Sequence, residues 1–183
     1  MCAKRVTRER NAPRPPKSRE QALNSLMALC ARAEKSTGDA RRLMSGWGVK
    51  LEEQEQVLEQ LIKERFIDDE RFATLYIREK SRLSGWGGYK IRGELSRKGI
   101  SKEIIEEQMS QLDREEMRER LRQMIERRLR TVKYSSKYQL RDKLMRYGAS
   151  LGYDFEMVRE VISEAISKVE IASEEDEADE FFD

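Results

Sequence analysis

The chain has 183 residues, of which 39% are charged and 38% hydrophobic, and its formal net charge is +2. So high a charged fraction is typical of thin modules that each bury one face, and it argues against a single large core. The chain contains no histidine, no cysteine cluster and no phosphate-binding glycine loop. We therefore expect neither an enzyme nor a protein that needs a metal or cofactor.

The N-terminal end of the chain is basic. Residues 1–17 contain six bases, one acid and all three prolines, a composition that predicts a disordered basic arm. No apolar run of the kind found in a secretory signal follows it, and no stretch of 18 apolar residues predicts a membrane span. Cys2 and Cys30 are too few for a disulfide framework, so a cytoplasmic protein is expected.

After the arm, two apolar residues and a glycine recur at four-residue spacing in three places, ending at Gly48, Gly99 and Gly148. Each copy predicts an amphipathic helix that ends in a left-handed glycine. The glycines lie 51 and 49 positions apart, a period typical of stacked helical units. Since no strand-like alternation occurs, we predict an all-α fold: three tandem three-helix repeats forming an elongated, curved array, with disordered termini. The predicted repeats span residues 18–67, 68–112 and 113–170.

In the first repeat, Ser18 and Gln21 form a capping-box pattern at the beginning of a helix. Thr37 or Asp39 is expected to begin a second helix, which ends near Gly48. A third helix is predicted from about residue 51 to residue 65. Its predicted inward residues are Val57, Leu58, Leu61 and Ile62.

Polar capping residues also predict the helix starts of the other two repeats. These residues are the Asp68-Asp69 pair, Ser101, Asp113, Ser136 and Asp154. The first helix of the second repeat is expected to turn an apolar stripe inward. That stripe consists of Phe72, Ala73, Leu75, Tyr76 and Leu83. At the other end of the chain, residues 173–183 hold seven acids and no base, and we predict a disordered acidic tail over residues 171–183.

Charge is sorted along the repeats. Residues 50–70 carry eight acids and three bases, residues 78–98 seven bases and two acids, and residues 114–146 twelve bases and five acids. The basic windows suit a phosphate-bearing or acidic partner, although the same charges also suit helix faces that contact only water. The candidate filament- or DNA-binding residues are Arg78, Lys80, Arg82, Lys90, Arg92, Arg97, Arg127, Arg128, Lys137 and Arg141.

Two tryptophans, Trp47 and Trp86, lie between glycines in similar motifs. A tryptophan in such a setting most often fills a gap between helices. The alternative is that Trp86 or Tyr89, which lie next to Lys90, stack on nucleic-acid bases.

Two blocks of this sequence resemble the RecX family, whose members regulate the bacterial RecA recombinase. The first block is Phe66-Ile-Asp-Asp-Glu-Arg-Phe-Ala73, and the second is Gly87-xxx-Ile91-xx-Glu94-Leu95-xx-Lys98-Gly99-Ile100. The likeness covers roughly residues 19–168. Within the first block, the structural motif consists of Phe66, Asp68, Asp69, Arg71 and Phe72.

The resemblance implies a non-enzymatic regulator that binds a RecA-type recombinase filament on single-stranded DNA. It implies inhibition of the filament's ATPase, strand-exchange and coprotease activities, in DNA repair and the SOS response. We also expect a monomer that needs no cofactor and contacts no membrane. Direct contact with DNA stays open, as some family members bind it. One alternative is a nucleic-acid-binding helical repeat protein without a recombinase partner, whose binding would be lost in moderate salt. Another is a protein scaffold that never contacts DNA.

Overall fold

The computed structural model describes the backbone of residues 15–179 and the side chains of residues 15–167. All regular structure in this range is α-helical, which confirms the predicted fold class. The helices of the described range are α1 (Arg19–Cys30), α2 (Thr37–Gly46), α3 (Leu51–Lys63), α4 (Asp69–Arg82), α5 (Gly88–Arg97), α6 (Lys102–Ser110), α7 (Arg114–Leu129), α8 (Lys137–Leu151) and α9 (Phe155–Asp179).

Polar side chains cap several helices at the positions that the sequence predicts, but α2, which begins at Thr37, is capped by Ser36 and not by Thr37 or Asp39. Ser18 and Gln21 form the complete capping box of α1. The side chains of Ser101, Asp113 and Ser136 each accept a hydrogen bond from a backbone N–H in the first turn of the next helix. Each such cap stabilises its helix by about 1 kcal/mol, because it satisfies an amide group that has no partner within the helix.

Two of the three predicted glycine stops are correct, and the third is wrong. Gly48 and Gly99 have left-handed backbones, with φ of 72° and 80°. Gly148, however, lies inside α8, which continues to Leu151 and ends at Gly152 with φ of 84°. A Cβ atom at Gly148 would lie 2.5 Å from Cγ1 of Val158, so this glycine lets α8 and α9 pack closely.

The chain divides after Asp68 into two compact units. The first contains α1, α2 and α3, which meet in a core where Leu26, Met44 and Leu61 are fully buried. Between α2 and α3, the buried side chain of Gln54 donates a 2.8 Å hydrogen bond to the carbonyl oxygen of Val49. The polar atom inside this core is therefore satisfied, as burial requires.

The second compact unit contains two apolar clusters. One is formed by α4, α5 and α6, where Ile91 and Leu95 are fully buried. The other is formed by α7, α8 and α9, where Leu121 and Leu144 are fully buried. Each cluster draws on three helices that follow one another in the sequence, as expected of helical repeats.

Three residues predicted to face inward are exposed: Ile62, Leu75 and Leu83. Leu83, with 84% of its surface accessible, follows the last residue of α4 and extends the predicted stripe one turn too far. Ile62 directly follows the buried Leu61, and its side chain lies about 100° around the helix axis from that of Leu61. Phe66 is half-buried against the first core, whereas Phe72 is buried in the α4–α6 cluster.

Both predicted disordered ends differ from the structure where it describes them. Lys17, assigned to the basic arm, donates its backbone N–H to the carbonyl of Trp47 (3.0 Å), and its ammonium lies 3.6 Å from the centre of the Trp47 ring. Residues 171–179, assigned to the acidic tail, continue α9. They contain no glycine or proline, and extending an existing helix avoids the cost of nucleation. The remainder of both predicted segments, residues 1–14 and 180–183, lies outside the described residues.

Candidate functional site

The α4–α6 repeat carries a row of aromatic rings interleaved with lysines, here called the lysine–aromatic strip. Phe72 and Tyr76 stack with ring centres 5.7 Å apart, and the ammonium of Lys98 lies 5.3 Å from the Phe72 ring. Further along, Lys80 lies 5.3 Å from the Tyr76 ring and 5.4 Å from the ring of Trp86. The members of the strip are Phe72, Tyr76, Lys80, Trp86, Lys90 and Lys98.

Lys80 of the strip is held in its charged form by a neighbouring carboxylate. The ammonium of Lys80 donates a 2.7 Å hydrogen bond to Glu79, which raises the pKa of Lys80 above its usual value. Burial, and then the negative charge of Glu94, raise the pKa of Tyr76, so the phenol is protonated at neutral pH. Positive charge lying against ring faces gives a surface suited to anions, with aliphatic lysine stems held by the rings.

Besides Lys80, which binds Glu79, three of the predicted basic residues of this repeat are engaged by carboxylates of their own chain. Arg92 binds both oxygens of Glu106 on α6, with its Nε 2.9 Å from Oε1, and this hydrogen bond lowers the pKa of Glu106. Nε of Arg82 lies 3.8 Å from Glu116, and Arg97 pairs with Glu94. Arg78 is exposed, and its side chain has no ion pair within the described residues. Of the six predicted residues, Arg78 and Lys90 therefore present the least neutralised charge, because Lys80 is paired with Glu79.

The two proposed base-stacking residues differ in how accessible they are. The Trp86 ring is half-buried, with the ammonium of Lys90 4.5 Å from its centre and that of Lys80 also near it. Tyr89 has 67% of its surface accessible. Trp86 therefore fills a gap and supports lysines, whereas Tyr89 presents an open ring.

A junction of backbone hydrogen bonds joins the beginning of α5 to the turn between α8 and α9. The N–H of Gly87 donates to the carbonyl of Leu151 at 2.8 Å, and the N–H of Tyr89 donates to that of Gly152 at 3.0 Å. Nζ of Lys90 also donates to the carbonyl of Ser150, at 3.3 Å. The amide groups at the beginning of α5 are thus satisfied by the carbonyls at the end of α8.

Only glycine fits on either side of this junction. A Cβ atom at Gly87 would lie 2.3 Å from the carbonyl oxygen of Gly152, and one at Gly152 would lie 2.4 Å from Cβ of Lys90. Both distances are far below van der Waals contact. The first glycine of the second family-like block is therefore required because two backbones approach each other there, a reason that the sequence alone did not reveal.

A second connection runs from α7 to the end of α4. Nη1 of Arg120 donates to the carbonyl oxygens of Arg82 and Ser81, at 3.0 and 3.4 Å, and Nη2 contacts Glu116 at 2.6 Å. The guanidinium thereby caps the C-terminal end of α4, whose carbonyls lack partners within the helix. Together with the junction, this contact joins the lysine–aromatic strip to the α7–α9 repeat.

The four predicted basic residues of the third repeat lie around the turn between α7 and α8, all exposed. Arg127 and Arg128 belong to the last turn of α7, whereas Lys137 and Arg141 belong to the first two turns of α8. Two exposed tyrosines, Tyr134 and Tyr138, accompany them. Sequence reasoning missed both rings, although their alternation with bases between residues 127 and 141 is the signal that could have identified them.

Among the described residues, no group of acidic or sulfur side chains has the arrangement needed to hold a metal ion. In the same part of the chain, no helix combines the length and hydrophobicity that crossing a membrane requires.

Two family models match this chain, and both describe the RecX family. Residues 68–109 match the family model described as RecX, second three-helix domain. Residues 115–162 match the model described as RecX, third three-helix domain. These ranges correspond to α4–α6 and α7–α9.

Curated relatives carry the same description. A regulatory protein RecX of Clostridium botulinum (strain Eklund 17B / Type B) is 33% identical over 104 residues, which cover 56% of this chain and 48% of that protein. A second, from strain Alaska E43 / Type E3, is 29% identical over 153 residues, which cover 82% of this chain and 69% of that protein. The matched region thus spans between about half and two thirds of the length of these relatives.

A solved structure shares the fold. The crystal structure of RecX from Lactobacillus salivarius superimposes with a TM-score of 0.71 at 17% identity, covering 80% of this chain and 96% of that one. At this level of identity the likeness concerns the arrangement of the helices.

Proposed function

Because the chain belongs to the RecX family, we propose that it binds the filament that a RecA-type recombinase forms on single-stranded DNA and inhibits that filament. The finer activities in this proposal are a slower ATPase, slower strand exchange and weaker coprotease activity. The protein would act as a non-enzymatic regulator of DNA repair and the SOS response in the cytoplasm.

The observation that carries the proposal is the connection between the two basic repeats of the second compact unit. The Gly87–Leu151 hydrogen bond and the Arg120 contacts join the lysine–aromatic strip to the α7–α9 repeat. A surface that is basic on both repeats and held in one arrangement can bind several acidic or phosphate groups of a repeating partner at once. Because the two repeats are already joined, less entropy is lost in orienting them when the partner binds.

The proposal is tested by measuring DNA-dependent ATP hydrolysis by the recombinase of the same organism on single-stranded DNA, with and without the chain. We expect the rate to fall at ratios below one chain per recombinase subunit, because one bound chain should affect neighbouring subunits of a filament. An unchanged rate at a several-fold excess of the chain would refute the proposal.

A matched measurement separates filament binding from competition for DNA. Filaments are assembled before the chain is added, and ATP hydrolysis is followed at two salt concentrations. Inhibition that persists in moderate salt indicates contacts to the recombinase, whereas inhibition that disappears with rising salt indicates phosphate contacts alone and favours the DNA-binding alternative.

A further inference from the structure

The turn between α7 and α8 forms a second basic surface, here called the α7–α8 corner and comprising residues 127–141. This stretch contains six bases and no acid, although acids make up 35 of the 183 residues of the chain. We propose that the α7–α8 corner binds single-stranded DNA directly, with Tyr138 stacking on an unpaired base. The choice of DNA rests on the proposed function, but the binding itself requires no recombinase.

Helix stability does not account for the charges of the corner. Arg127 and Arg128 at the C-terminal end of α7 have an ordinary explanation, since positive charge is favourable at that end of a helix dipole. Lys137 lies in the first turn of α8, where positive charge is unfavourable by a few tenths of a kcal/mol. The helix dipole therefore does not explain its position.

Two of the charges of the corner, those of Arg127 and Arg141, are also available. Within the described residues, the side chains of Arg127 and Arg141 form no ion pair, in contrast to Arg146 further along α8, which lies 2.7 Å from Asp142. Cζ of the Arg128 guanidinium lies 5.6 Å from the centre of the Tyr147 ring. The corner thus differs from the lysine–aromatic strip, where carboxylates neutralise several of the arginines.

Tyrosine rings accompany these charges without being buried. Tyr138 has 85% of its surface accessible and Tyr134 has 48%. Neither ring belongs to the apolar cluster formed by α7, α8 and α9. An exposed ring among cations is the combination by which proteins hold single strands, because bases stack on the ring while cations follow the phosphates.

The loop that carries the corner is held in place by its own hydrogen bonds. The backbone N–H of Ser135 donates to Oε1 of Gln139 at 2.9 Å, and Nζ of Lys143 donates to the carbonyl of Lys133 at 2.7 Å. Ser136 caps α8 by accepting from the N–H of Gln139. The loop between α7 and α8 is therefore ordered. It holds the end of α7, which carries Arg127, and the beginning of α8, which carries Tyr138 and Arg141, in one arrangement, so less entropy is lost when a strand binds.

A single strand fits the corner better than a duplex or an acidic peptide does. In a duplex the bases stack on one another and offer no free face to a tyrosine. An acidic peptide would pair with the arginines and lysines of the corner but leave the tyrosine rings exposed. The corner is also separate from the junction: α8 has 15 residues, so its two ends lie about 22 Å apart.

The test uses the full chain without recombinase and a fluorescein-labelled oligothymidylate of about 20 nucleotides, with fluorescence anisotropy as the readout. Tyr138→Ala should weaken binding by about fivefold or more, the loss of one stacked base. Tyr138→Phe should bind like the wild type, because stacking needs the ring and not the hydroxyl. Phe155→Ala is the matched control: this ring is 70% accessible but lies beyond the opposite end of α8, and its removal should change nothing.

Salt dependence tests the binding of phosphate. Arg127→Ala combined with Arg141→Ala should lower the slope of log affinity against log salt concentration by about 0.7 for each phosphate that the variant no longer neutralises. Wild-type affinity of Tyr138→Ala, or equal weakening by Tyr138→Phe, would overturn the stacking. An unchanged slope in the double variant would overturn the role of these arginines in binding phosphate.

These results are independent of the recombinase assay. If the chain leaves recombinase ATP hydrolysis unchanged but binds oligothymidylate through Tyr138, the proposed function is refuted and the DNA-binding site at the α7–α8 corner is supported. If hydrolysis is inhibited while Tyr138→Ala binds DNA like the wild type, the DNA-binding site is refuted and the proposed function is supported.

Discussion

At the scale of single residues, Tyr153 combines burial with an unsatisfied polar group. Its side chain is 5% exposed, and within the described residues its hydroxyl has no hydrogen-bond partner. Burial raises the pKa of Tyr153 from 10.0 to about 12, although the positive charge of Arg120 opposes the shift. The unfolded chain therefore loses this proton at a lower pH than the folded chain does.

Tyr153→Phe should remove a source of alkaline instability. The stabilising contribution of the raised pKa is complete below pH 10 and is lost as the pH rises towards about 12, because only the unfolded state then ionises readily. We expect the variant to be at least as stable as the wild type at neutral pH, since an unsatisfied buried hydroxyl is removed. Urea unfolding across this range measures both effects.

One result would contradict the role of Tyr153 in alkaline unfolding. If the wild type and Tyr153→Phe lose stability in parallel above pH 10, another group governs the alkaline transition. An ultraviolet titration of the tyrosines supplies the control, because Tyr153→Phe should remove one phenol that ionises near pH 12.

Residue-scale features were predictable where they depend on neighbours in the sequence. The caps at Ser18, Ser101 and Ser136 follow from side chains that bind backbone groups two or three positions away. The role of Gly148 was not predictable, since it depends on Val158 of the neighbouring helix. The exposure of Leu83 was not predictable either, because this residue continues the apolar periodicity but lies beyond the last residue of α4.

At the scale of helices, the junction between α5 and the α8–α9 turn should be sensitive to a single methyl group. Gly152→Ala places an alanine at φ of 84° with its Cβ 2.4 Å from that of Lys90. The left-handed backbone alone costs about 1–2 kcal/mol, and the clash adds to it. We expect a lower urea midpoint and faster hydrogen exchange of the Gly87 and Tyr89 amides.

Gly93→Ala provides the matched control within α5. Apart from its chain neighbours and the backbone of its own helix, no described atom lies within 4 Å of the position its Cβ would take, so the substitution meets open space. It should stabilise the protein by about 0.5–1 kcal/mol, as alanine is the better helix former. Equal effects of the two substitutions would show that the junction does not constrain Gly152.

The helices themselves were largely predictable, and their connections were not. Apolar periodicity and capping residues located three groups of three helices because both signals are local. The junction pairs Gly87 with Leu151, 64 positions later, through backbone atoms that leave no trace in side-chain patterns. The acidic segment was judged by composition alone, which misses that α9 can extend into it.

At the scale of the molecule, the basic face of α4 and α5 should govern binding to the filament. The variant Arg78→Glu/Lys80→Glu/Arg97→Glu reverses three charges while leaving the junction residues unchanged. We expect weaker inhibition of recombinase ATP hydrolysis and a salt dependence reduced by about 0.7 for each phosphate no longer neutralised. The double variant Lys102→Glu/Arg159→Glu reverses exposed charges outside this face and is the control. Inhibition by the triple variant equal to that of the wild type would rule out this face.

The acidic C-terminal residues should compete with DNA phosphate for the basic surfaces. Removal of residues 173–183 takes away seven acids. We expect the truncated chain to bind single-stranded DNA more tightly at low salt, with the gain fading as ionic strength rises. Anisotropy measurements on both chains test this, and equal binding at low salt would show that the segment only interacts with water.

The backbone junction also determines where a phosphate group cannot go. The first backbone amides of a helix form a binding site for phosphate, and the first turn of α5 contains no acidic residue. In this chain the carbonyl oxygens of Leu151 and Gly152 already accept hydrogen bonds from amides at that site. A nucleic acid could reach it only by separating the two repeats, so undocking would create a new anion site at the moment the molecule loosens. Tight docking of α5 on the α8–α9 turn therefore limits the ways in which this protein can hold DNA.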